Sequence, residues 1–283
     1  MSNYAYRIVN VFADPESPGR LTGNPLCVFE DARGLDEATM QALAQQFNLS
    51  ETTFVLPSER ATARIRIYTA AFEMPFAGHP TLGSAHVVRA LKSAGDRITL
   101  EMKAGVIPVT AQADQWTLEA NAARTRAPAS GASGIAAMLG IETGEIADEP
   151  LWVDTGTEQL VVPLATPETV RRCRPDTARM LELGTVNVVP KVYVWAWHGD
   201  SAILARFFLL KHGTLAEDYG TGSAAANLGG WFAAKKVALP VSCMIQQGEP
   251  IGRPARLRLE VDREKRILVG GRVIELGRGT ILL

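Results

Sequence analysis

The chain has 283 residues, of which 47% are apolar and 21% are charged, and 29 Lys and Arg nearly balance 30 Asp and Glu. This composition excludes global disorder, and the length is typical of about two domains with a large buried core. Because the net charge is only −1, the chain has no excess of basic residues for nucleic acid or an anionic membrane surface, and neither partner is expected.

Uncharged runs and cysteines exclude further classes of protein. The longest run without Asp, Glu, Lys or Arg covers 16 residues, 219–234, and its four glycines make it too short and not apolar enough to span a membrane. Residues 1–7 lack the apolar segment of a signal peptide, so a cytoplasmic protein is expected. The chain has three cysteines, Cys27, Cys173 and Cys243, which lie far apart in sequence. This spacing predicts neither a disulfide framework nor a metal site.

The first half of the chain is predicted to be mostly β-structure. Alternating or β-branched segments indicate strands at 7–12, 26–29, 52–56, 64–68, 98–102, 106–110 and 116–118. One helix is predicted between a capping Asp36 and a stop at Asn48, because Met40, Leu43 and Phe47 fall at helical spacing.

The second half repeats this order of elements after a segment rich in Ala, Ser, Gly and Pro at 120–134, which is predicted to be an inter-domain linker. Helices are predicted at 135–139 and 175–183, and strands at 151–153, 160–164, 192–197, 205–210 and 256–261. A closing hairpin is predicted at 267–276, around Gly270 and Gly271. The similar order in both halves indicates a weak internal repeat.

Two glycine turns precede the least charged helices, predicted at 81–91 and 224–234. Helices this apolar are expected to be buried on all sides, as inside a strongly curved sheet. Backbone N–H groups at such helix starts can bind an anion, so the two turns are candidate sites for a small carboxylate. The alternative interpretation is that the glycines only permit tight turns and close helix–strand packing.

Six segments carry a more specific pattern: GNPLCVF at 23–29, NLSETTFV at 48–55, EMPFAGHPTLG at 73–83, EDYGTGSAA at 217–225, QGEPIGRP at 247–254 and VGGRV at 269–273. Over almost the whole chain they resemble the PhzF-like isomerase and epimerase family of phenazine biosynthesis. The resemblance implies an α+β fold of two pseudo-symmetric diaminopimelate-epimerase-like domains, each a curved β-sheet around a central helix. The implied domains are 1–122 and 123–283, with the last strand able to pack on the first domain, the active site in the cleft between them, and a homodimer as the assembly.

The resemblance also implies the site residues. Glu51 matches the acid/base glutamate of the family, and His79 and Asp218 match its assisting histidine and aspartate. The residues expected to bind substrate are Ser50, Gly78, Tyr219, Gly220, Thr221, Gly222 and Ser223. The local sequence alone leaves open that Glu51 is a surface or strand-edge glutamate and that His79 is structural.

The implied activity is isomerisation or epimerisation of a small carboxylic acid by proton transfer at carbon without a cofactor, with trans-2,3-dihydro-3-hydroxyanthranilate as a candidate substrate. Related racemases use two cysteines beside the glycine turns, but Ala77 and Tyr219 stand at those places, so a two-thiol mechanism is not expected. The chain also departs from the usual family pattern at Tyr219, Gly220 and Leu210, where prolines or alanine are common, and the segment 206–218 looks one residue longer. These departures bear on substrate identity more than on reaction type.

Two other functions remain open. The segment 220–225 also fits the GxGxxA pattern of a dinucleotide-binding reductase, but 223–248 contains none of the acidic residues that such a site needs. A non-catalytic protein that binds a small molecule on the same fold is the second alternative. Walker A, GxSxG and HExxH patterns are absent from the sequence.

Overall fold

The computed structural model describes residues 2–17, 19–184, 190–211 and 213–283. The fold is a mixture of helices and strands in which the sheet dominates. The chain divides into two compact units: unit one comprises Met1–Glu119 and Gly270–Leu283, and unit two comprises Ala120–Val269. In the part of the chain that is described, helices of the length and apolarity needed to cross a membrane are absent.

Unit one contains two helices, α1 (Glu37–Phe47) and α2 (Gly78–Lys92). Its strands are β1 (Asn3–Val11), β2 (Asn24–Phe29), β3 (Glu51–Leu56), β4 (Ala63–Tyr68), β5 (Glu73–Met74), β6 (Arg97–Met102), β7 (Gly105–Gln112) and β8 (Gln115–Glu119). These bounds confirm the strands and the helices predicted for the first half of the chain to within a few residues.

Unit two contains the helices α3 (Ala132–Leu139), α4 (Pro167–Arg172), α5 (Thr177–Gly184) and α6 (Gly222–Ala234). Its strands are β9 (Arg124–Arg126), β10 (Leu151–Asp154), β11 (Glu158–Pro163), β12 (Lys191–Trp197), β13 (Ala202–Lys211), β14 (Thr214–Asp218), β15 (Val241–Gln247) and β16 (Ala255–Val261). A last strand, β17 (Ile267–Leu282), begins in unit two and continues into unit one. Single turns of 3₁₀-helix lie at Thr143–Glu145 and Glu249–Ile251.

The strands of unit one form a barrel-like sheet. In the described residues of this unit the hydrogen-bonded order is β17, β1, β2, β3, β4, β6, β7 and β8, and β8 pairs with β17 to close the ring. Helix α2 packs against seven of these strands, and its residues 79–85, 87 and 88 are buried. The sheet therefore holds the first turn of α2 at a fixed place relative to β2 and β3.

Helix α1 covers the other face of β2 and β3. Asp36 accepts a hydrogen bond from the Thr39 backbone N–H, and Asn48 ends the helix in the left-handed conformation, at φ 49°. Met40 and Leu43 pack in one cluster with Phe54 and other buried residues of the sheet. Both helix ends are as predicted, because capping depends on residues within a few positions of each other.

Unit two has strands in the order β9, β10, β11, β12, β13, β15 and β16, with β14 added beside β13. Helix α6 packs against β9, β10, β11 and β16. Its residues Gly222 and 224–232 are buried, which confirms the prediction that this apolar helix is enclosed. Helices α3, α4 and α5 contribute to a separate apolar cluster that contains Leu139, Val170, Met180, Val194 and Phe208.

Several predicted elements were wrong. The predicted linker at 120–134 contains β9, which pairs with β10, and the first turn of α3. The predicted hairpin at 267–276 is part of one long strand, because Gly270 lies in extended chain beside β8 and an added Cβ would be 2.4 Å from the Trp116 carbonyl oxygen. The glycine there permits close strand approach rather than a turn.

Sequence patterns also missed α4, β14 and β15. Helix α4 has only six residues, and the strand β14 lacks a clear apolar alternation. The burial of β15 does alternate, but the exposed Met244 and the buried Gln247 obscure this pattern in the sequence. The segment 206–218, predicted as a lengthened loop, lies largely in the paired strands β13 and β14, and His212 within it lies outside the described residues.

Candidate active site

The first turn of α2 positions His79 in unit one. Ala77 precedes the helix in an extended conformation, and its carbonyl oxygen accepts hydrogen bonds from the backbone N–H and the hydroxyl of Thr81, at 3.1 and 2.7 Å. The third helical residue, Pro80, has no N–H. The N–H groups of Gly78 and His79 therefore have no acceptor within the helix and lie at its positive end.

Glu51 and His79 meet beside this turn. Glu51 is the first residue of β3, which pairs with β2 at Leu26, and its Oε2 atom lies 3.4 Å from Nε2 of His79. Both side chains are largely buried, with exposed fractions of 15% for Glu51 and 8% for His79. The fold therefore brings together two of the three side chains predicted to be catalytic.

The imidazole of His79 is neutral at physiological pH. Burial lowers the pKa of His79 to about 3, against the weaker opposing effect of a hydrogen bond to the Pro25 backbone. Proline offers only a carbonyl oxygen, so the ring nitrogen in this bond must be the protonated one. Nε2 has no hydrogen-bond partner in the described part of the chain, which identifies Nδ1 as the donor to Pro25.

This tautomer defines what the pair can do. Nε2 is an acceptor in the neutral ring, and it lies opposite a carboxyl oxygen of Glu51. The two groups are therefore not an ion pair at neutral pH. A proton on Glu51 can be hydrogen-bonded to Nε2, whereas two lone pairs face each other when that proton leaves. The arrangement is suited to a carboxyl group that gains and loses one proton.

The turn before α6 positions Asp218 in unit two. Asp218 ends β14, and its Oδ2 atom accepts a hydrogen bond of 2.5 Å from the hydroxyl of Thr221, the residue that precedes the helix. Gln247, at the end of β15, is completely buried and contacts both residues. The next residue, Gly248, has φ +80°, and a Cβ there would lie 2.6 Å from the Tyr219 carbonyl oxygen. Only glycine fits this close approach.

Ser223, in the first turn of α6, belongs to a second buried network. Its Oγ atom accepts a hydrogen bond from Nε2 of Gln159 at 2.9 Å. Asn227 donates to Oε1 of Gln159 and to the Thr157 carbonyl, and accepts from the backbone N–H and hydroxyl of Thr155. These bonds tie the first turns of α6 to β10 and β11.

Tyr219 packs against a cation. The Arg253 guanidinium lies over its ring, 5.3 Å from the ring centroid, and burial lowers the pKa of Arg253. Tyr219 and the segment 248–253 thus support each other within unit two.

The cysteines are unsuited to acid/base chemistry at neutral pH. Burial raises the pKa of Cys173 to about 11 and that of Cys243 to about 12, and raises the pKa of Cys27 further. Within the described ranges, clusters of three or more His, Cys, Asp or Glu that could hold a metal ion are absent.

Comparison with known proteins places the chain in a family. A family model described as phenazine biosynthesis-like protein (PhzC-PhzF) matches residues 9–279. The chain belongs to this family. It is 36% identical to a protein of Pasteurella multocida (strain Pm70) that is named as an isomerase, over 100% of this chain and 96% of the relative.

Two other PhzF-family proteins extend the comparison. The chain is 32% identical to a trans-2,3-dihydro-3-hydroxyanthranilate isomerase of Pseudomonas chlororaphis, over 98% of this chain and 99% of that one. It superimposes on a PhzF-family crystal structure from Bacillus anthracis with a TM-score of 0.83, 22% identity and complete coverage of both chains, which supports the fold. The names of the relatives support an isomerase.

The remaining predicted site residues of this PhzF-like chain lie beside the two turns. Ser50 and Gly78 are half-buried neighbours of Glu51 and His79 in sequence. Gly220 is buried, and Thr221 and Gly222 begin α6. The roles of all these residues in binding and catalysis stay predictions.

Sequence reasoning missed Gln247, Gln159 and Asn227 as part of this architecture. Asn227 was detectable in principle, because an amide in an otherwise apolar helix requires buried hydrogen-bond partners. Gln247 stands in one of the segments that carry the family resemblance, but its partners are 26 and 29 residues away in sequence.

Proposed function

We propose that this protein is an isomerase that moves a proton between carbon atoms of a small carboxylic acid without a cofactor, with Glu51 as the acid/base. The observation that carries the proposal is the 3.4 Å approach of a Glu51 oxygen to an acceptor nitrogen of neutral His79. Trans-2,3-dihydro-3-hydroxyanthranilate is the candidate substrate, since relatives at about one-third identity are named for its isomerisation.

Protons balance in this mechanism. The Glu51 carboxylate removes a proton from one carbon atom, and the acid so formed donates a hydrogen bond to Nε2 of His79. Glu51 is 15% exposed, so its proton exchanges with solvent before Glu51 returns a proton to a different carbon atom, and the C–H bond formed replaces the one broken. The N–H groups of Gly78 and His79 at the start of α2 stabilise negative charge on the substrate.

Asp218 and the residues that follow it serve substrate binding in this proposal. Asp218 holds a polar group of the substrate, and Gly222 and Ser223 offer backbone N–H groups and the Ser223 hydroxyl at the start of α6. Thr221, whose N–H and hydroxyl are engaged by Gln247 and Asp218, serves binding by holding Asp218. Ser50, Tyr219 and Gly220 complete the proposed set.

We also propose the finer architecture that the family resemblance implies. The two units are the pseudo-symmetric halves of a diaminopimelate-epimerase-like fold, with a sequence boundary near residues 122 and 123. Each has its own apolar helix, α2 or α6, packed on a curved sheet. The proposed assembly is a homodimer, and the proposed location is the cytoplasm.

The decisive experiment follows the substrate by NMR in D₂O with wild-type protein, Glu51→Gln and the control Glu37→Gln, which changes an exposed glutamate of the same unit. Solvent deuterium should enter the product at carbon with wild type and the control. Glu51→Gln should slow this at least about 10²-fold, since general acid–base catalysis contributes about that much.

Each other result contradicts a named part of the proposal. Full activity of Glu51→Gln would mean that Glu51 is not the base. Binding without turnover or deuterium exchange, for this substrate and a panel of small carboxylates, would identify a non-catalytic binding protein. Turnover of another carboxylate only would replace the substrate and keep the mechanism.

A further inference from the structure

The side chain of Gln247 makes three hydrogen bonds to the turn between β14 and α6. Nε2 lies 3.0 Å from the Asp218 carbonyl oxygen and 3.0 Å from the Thr221 hydroxyl, and Oε1 lies 3.3 Å from the Thr221 backbone nitrogen. Gln247 and Thr221 are both buried. A fully satisfied amide in such a place fixes one arrangement of the turn.

The backbone determines the orientation of this amide. The Asp218 carbonyl can only accept a hydrogen bond, so it must face the amide nitrogen, and the Thr221 N–H can only donate, so it must face the amide oxygen. A flipped amide would place two acceptors together and two donors together. The second N–H of the same nitrogen is thereby aimed at the hydroxyl of Thr221.

This constraint determines the direction of the Thr221 hydroxyl proton. The oxygen accepts from Gln247, and its own proton lies on the 2.5 Å contact to Oδ2 of Asp218. Hydrogen bonds to an ionised carboxylate are short and strong, and they favour the charged form.

We infer that Gln247 is a positioning residue that, through Thr221, fixes the Asp218 carboxylate as the acceptor of the Thr221 hydroxyl hydrogen bond. Gln247 itself does not contact the reacting atoms. The functional part of this inference rests on the proposed role of Asp218 in substrate binding, whereas the structural part can be measured without any substrate.

The substitutions at Gln247 and Thr221 do not add or remove any of the other charges near Asp218. Glu217, adjacent on β14, is paired with Arg206 on β13 at 2.7 Å. In the loop after β15, Glu249 is paired with Arg256, and Arg253 lies over Tyr219. Differences between variants therefore report on the hydroxyl rather than on these charges.

The test is a ¹³C NMR titration of the Asp218 carboxyl in the full-length protein, with the signal assigned by its loss in Asp218→Asn. Thr221→Val, which removes the hydroxyl, should raise the midpoint by about one pH unit, a tenfold higher proton affinity. Gln247→Met should raise it in the same direction, and Gln247→Met combined with Thr221→Val should raise it no further than Thr221→Val alone, since both act through one hydroxyl. Thr221→Ser should keep the wild-type midpoint.

Gln159→Met is the matched control, because it makes the same buried amide apolar beside the same helix turn but leaves Thr221 and Asp218 untouched. Its Asp218 midpoint should equal that of wild type, even if its thermal stability falls as much as that of Gln247→Met. An unchanged midpoint in Gln247→Met, an additive double variant, or an equal shift in Gln159→Met would overturn the inference. If Gln247→Met does not fold, Gln247→Asn, whose shorter side chain withdraws the amide from Thr221 without adding a charge, replaces it.

Activity with the substrate gives the second measurement. Gln247→Met should raise KM about tenfold with a smaller change in kcat, as expected for a lost binding contact. A fall in kcat alone would contradict the binding role assigned to Asp218. A shifted midpoint in a protein without any turnover would leave the positioning role intact and reject the proposed function.

Discussion

The starts of α2 and α6 are both glycine turns that lead into a buried helix, but their chemistry differs. In unit one the turn carries His79, whose acceptor nitrogen lies opposite a carboxyl oxygen of Glu51. In unit two the turn holds Asp218 through Thr221 and Gln247, in a network where each partner's hydrogen-bonding direction is determined. One turn presents groups that can exchange a proton, and the other presents a carboxylate that is held in place.

The buried hydrogen bonds of the two helices also differ. Beyond its first turn, helix α2 contacts the sheet through a buried hydrogen bond from Ser84 to Thr53 and through apolar and small residues, whereas His79 and Thr81 of the first turn bond Pro25, Ala77 and the Met102 sulfur. Helix α6 is anchored by the amides of Asn227 and Gln159. Buried networks of this kind make a segment rigid and specify one arrangement. This difference agrees with the proposed roles, in which His79 and Glu51 of unit one transfer the proton and Asp218 of unit two binds.

The largest expected effect is on kcat and KM, which distinguish proton transfer at His79 from substrate binding at Asp218. His79→Gln replaces the basic ring nitrogen opposite Glu51 with an amide, which is a far weaker base, and should lower kcat about 10²-fold or more, with little change in KM. Asp218→Asn should instead raise KM at least about tenfold and lower kcat less. Steady-state kinetics and the rate of deuterium incorporation measure both. If Asp218→Asn slows deuterium incorporation as much as His79→Gln, the assignment of proton transfer to unit one is wrong.

The second prediction compares the helix interiors. Asn227→Leu leaves the Thr155 N–H, the Thr157 carbonyl and Oε1 of Gln159 without this partner, and should lower the free energy of unfolding by about 3 kcal/mol. Ser84→Ala removes one neutral hydrogen bond and should cost about 1 kcal/mol. Urea unfolding at neutral pH measures both. Equal losses would contradict the contrast drawn between α6 and α2.

Local sequence patterns predicted the helices and strands that depend on interactions between residues close in sequence. The capped helix from Asp36 to Asn48, the two apolar helices and most buried strands follow from residues within one or two turns of each other. The approach of Glu51 to His79 was expected only through the family resemblance, since the two residues are 28 positions apart and are brought together by β3 and α2. The sequence around either one leaves a structural role open.

The missed features depend on contacts distant in sequence. Strand β17 pairs with β1 across most of the chain length, so no local signal could show that Gly270 lies in extended chain. The polar strand β9 exists because it pairs with β10, and Arg126 forms an ion pair with Glu158 and lies over Trp152. The network of Gln247 likewise forms only after β14, β15 and α6 are in place.

The third prediction concerns glycines within the two helices. An added Cβ at Gly230 would lie 2.5 Å from the Cβ atom of Ala123, which is fixed to the backbone, and 2.8 Å from a Val153 methyl. At Gly83 the nearest atom, at 2.6 Å, is the end of the Leu26 side chain, which can rotate. Gly230→Ala should therefore lower the free energy of unfolding by about 2 kcal/mol.

Gly83→Ala should change stability by less than about 1 kcal/mol, because better helix propensity offsets part of the strain. Ala123→Gly in the Gly230→Ala background should restore part of the lost stability by removing the clashing Cβ atom. Thermal and urea unfolding measure these variants. A larger loss for Gly83→Ala than for Gly230→Ala would show that the sheet around α2 is the less adaptable one.

The last prediction uses the pH dependence of stability. The pKa of His79 is about 3 in the folded protein, whereas an unfolded histidine has a pKa near 6.5. Between these values the unfolded chain binds one more proton at this site, so stability falls as pH decreases, by up to about 1.4 kcal/mol per pH unit. His79→Gln lacks this group and should show a shallower loss of stability from pH 6.5 to 4.5.

Denaturant unfolding at several pH values measures the two slopes, and the difference between them isolates the contribution of His79 from that of the carboxylates. Identical slopes for wild type and His79→Gln above pH 4.5 would mean that His79 is protonated in the folded protein. In that case His79 and Glu51 form an ion pair, and His79 enters the reaction as a proton donor rather than as an acceptor for the proton carried by Glu51.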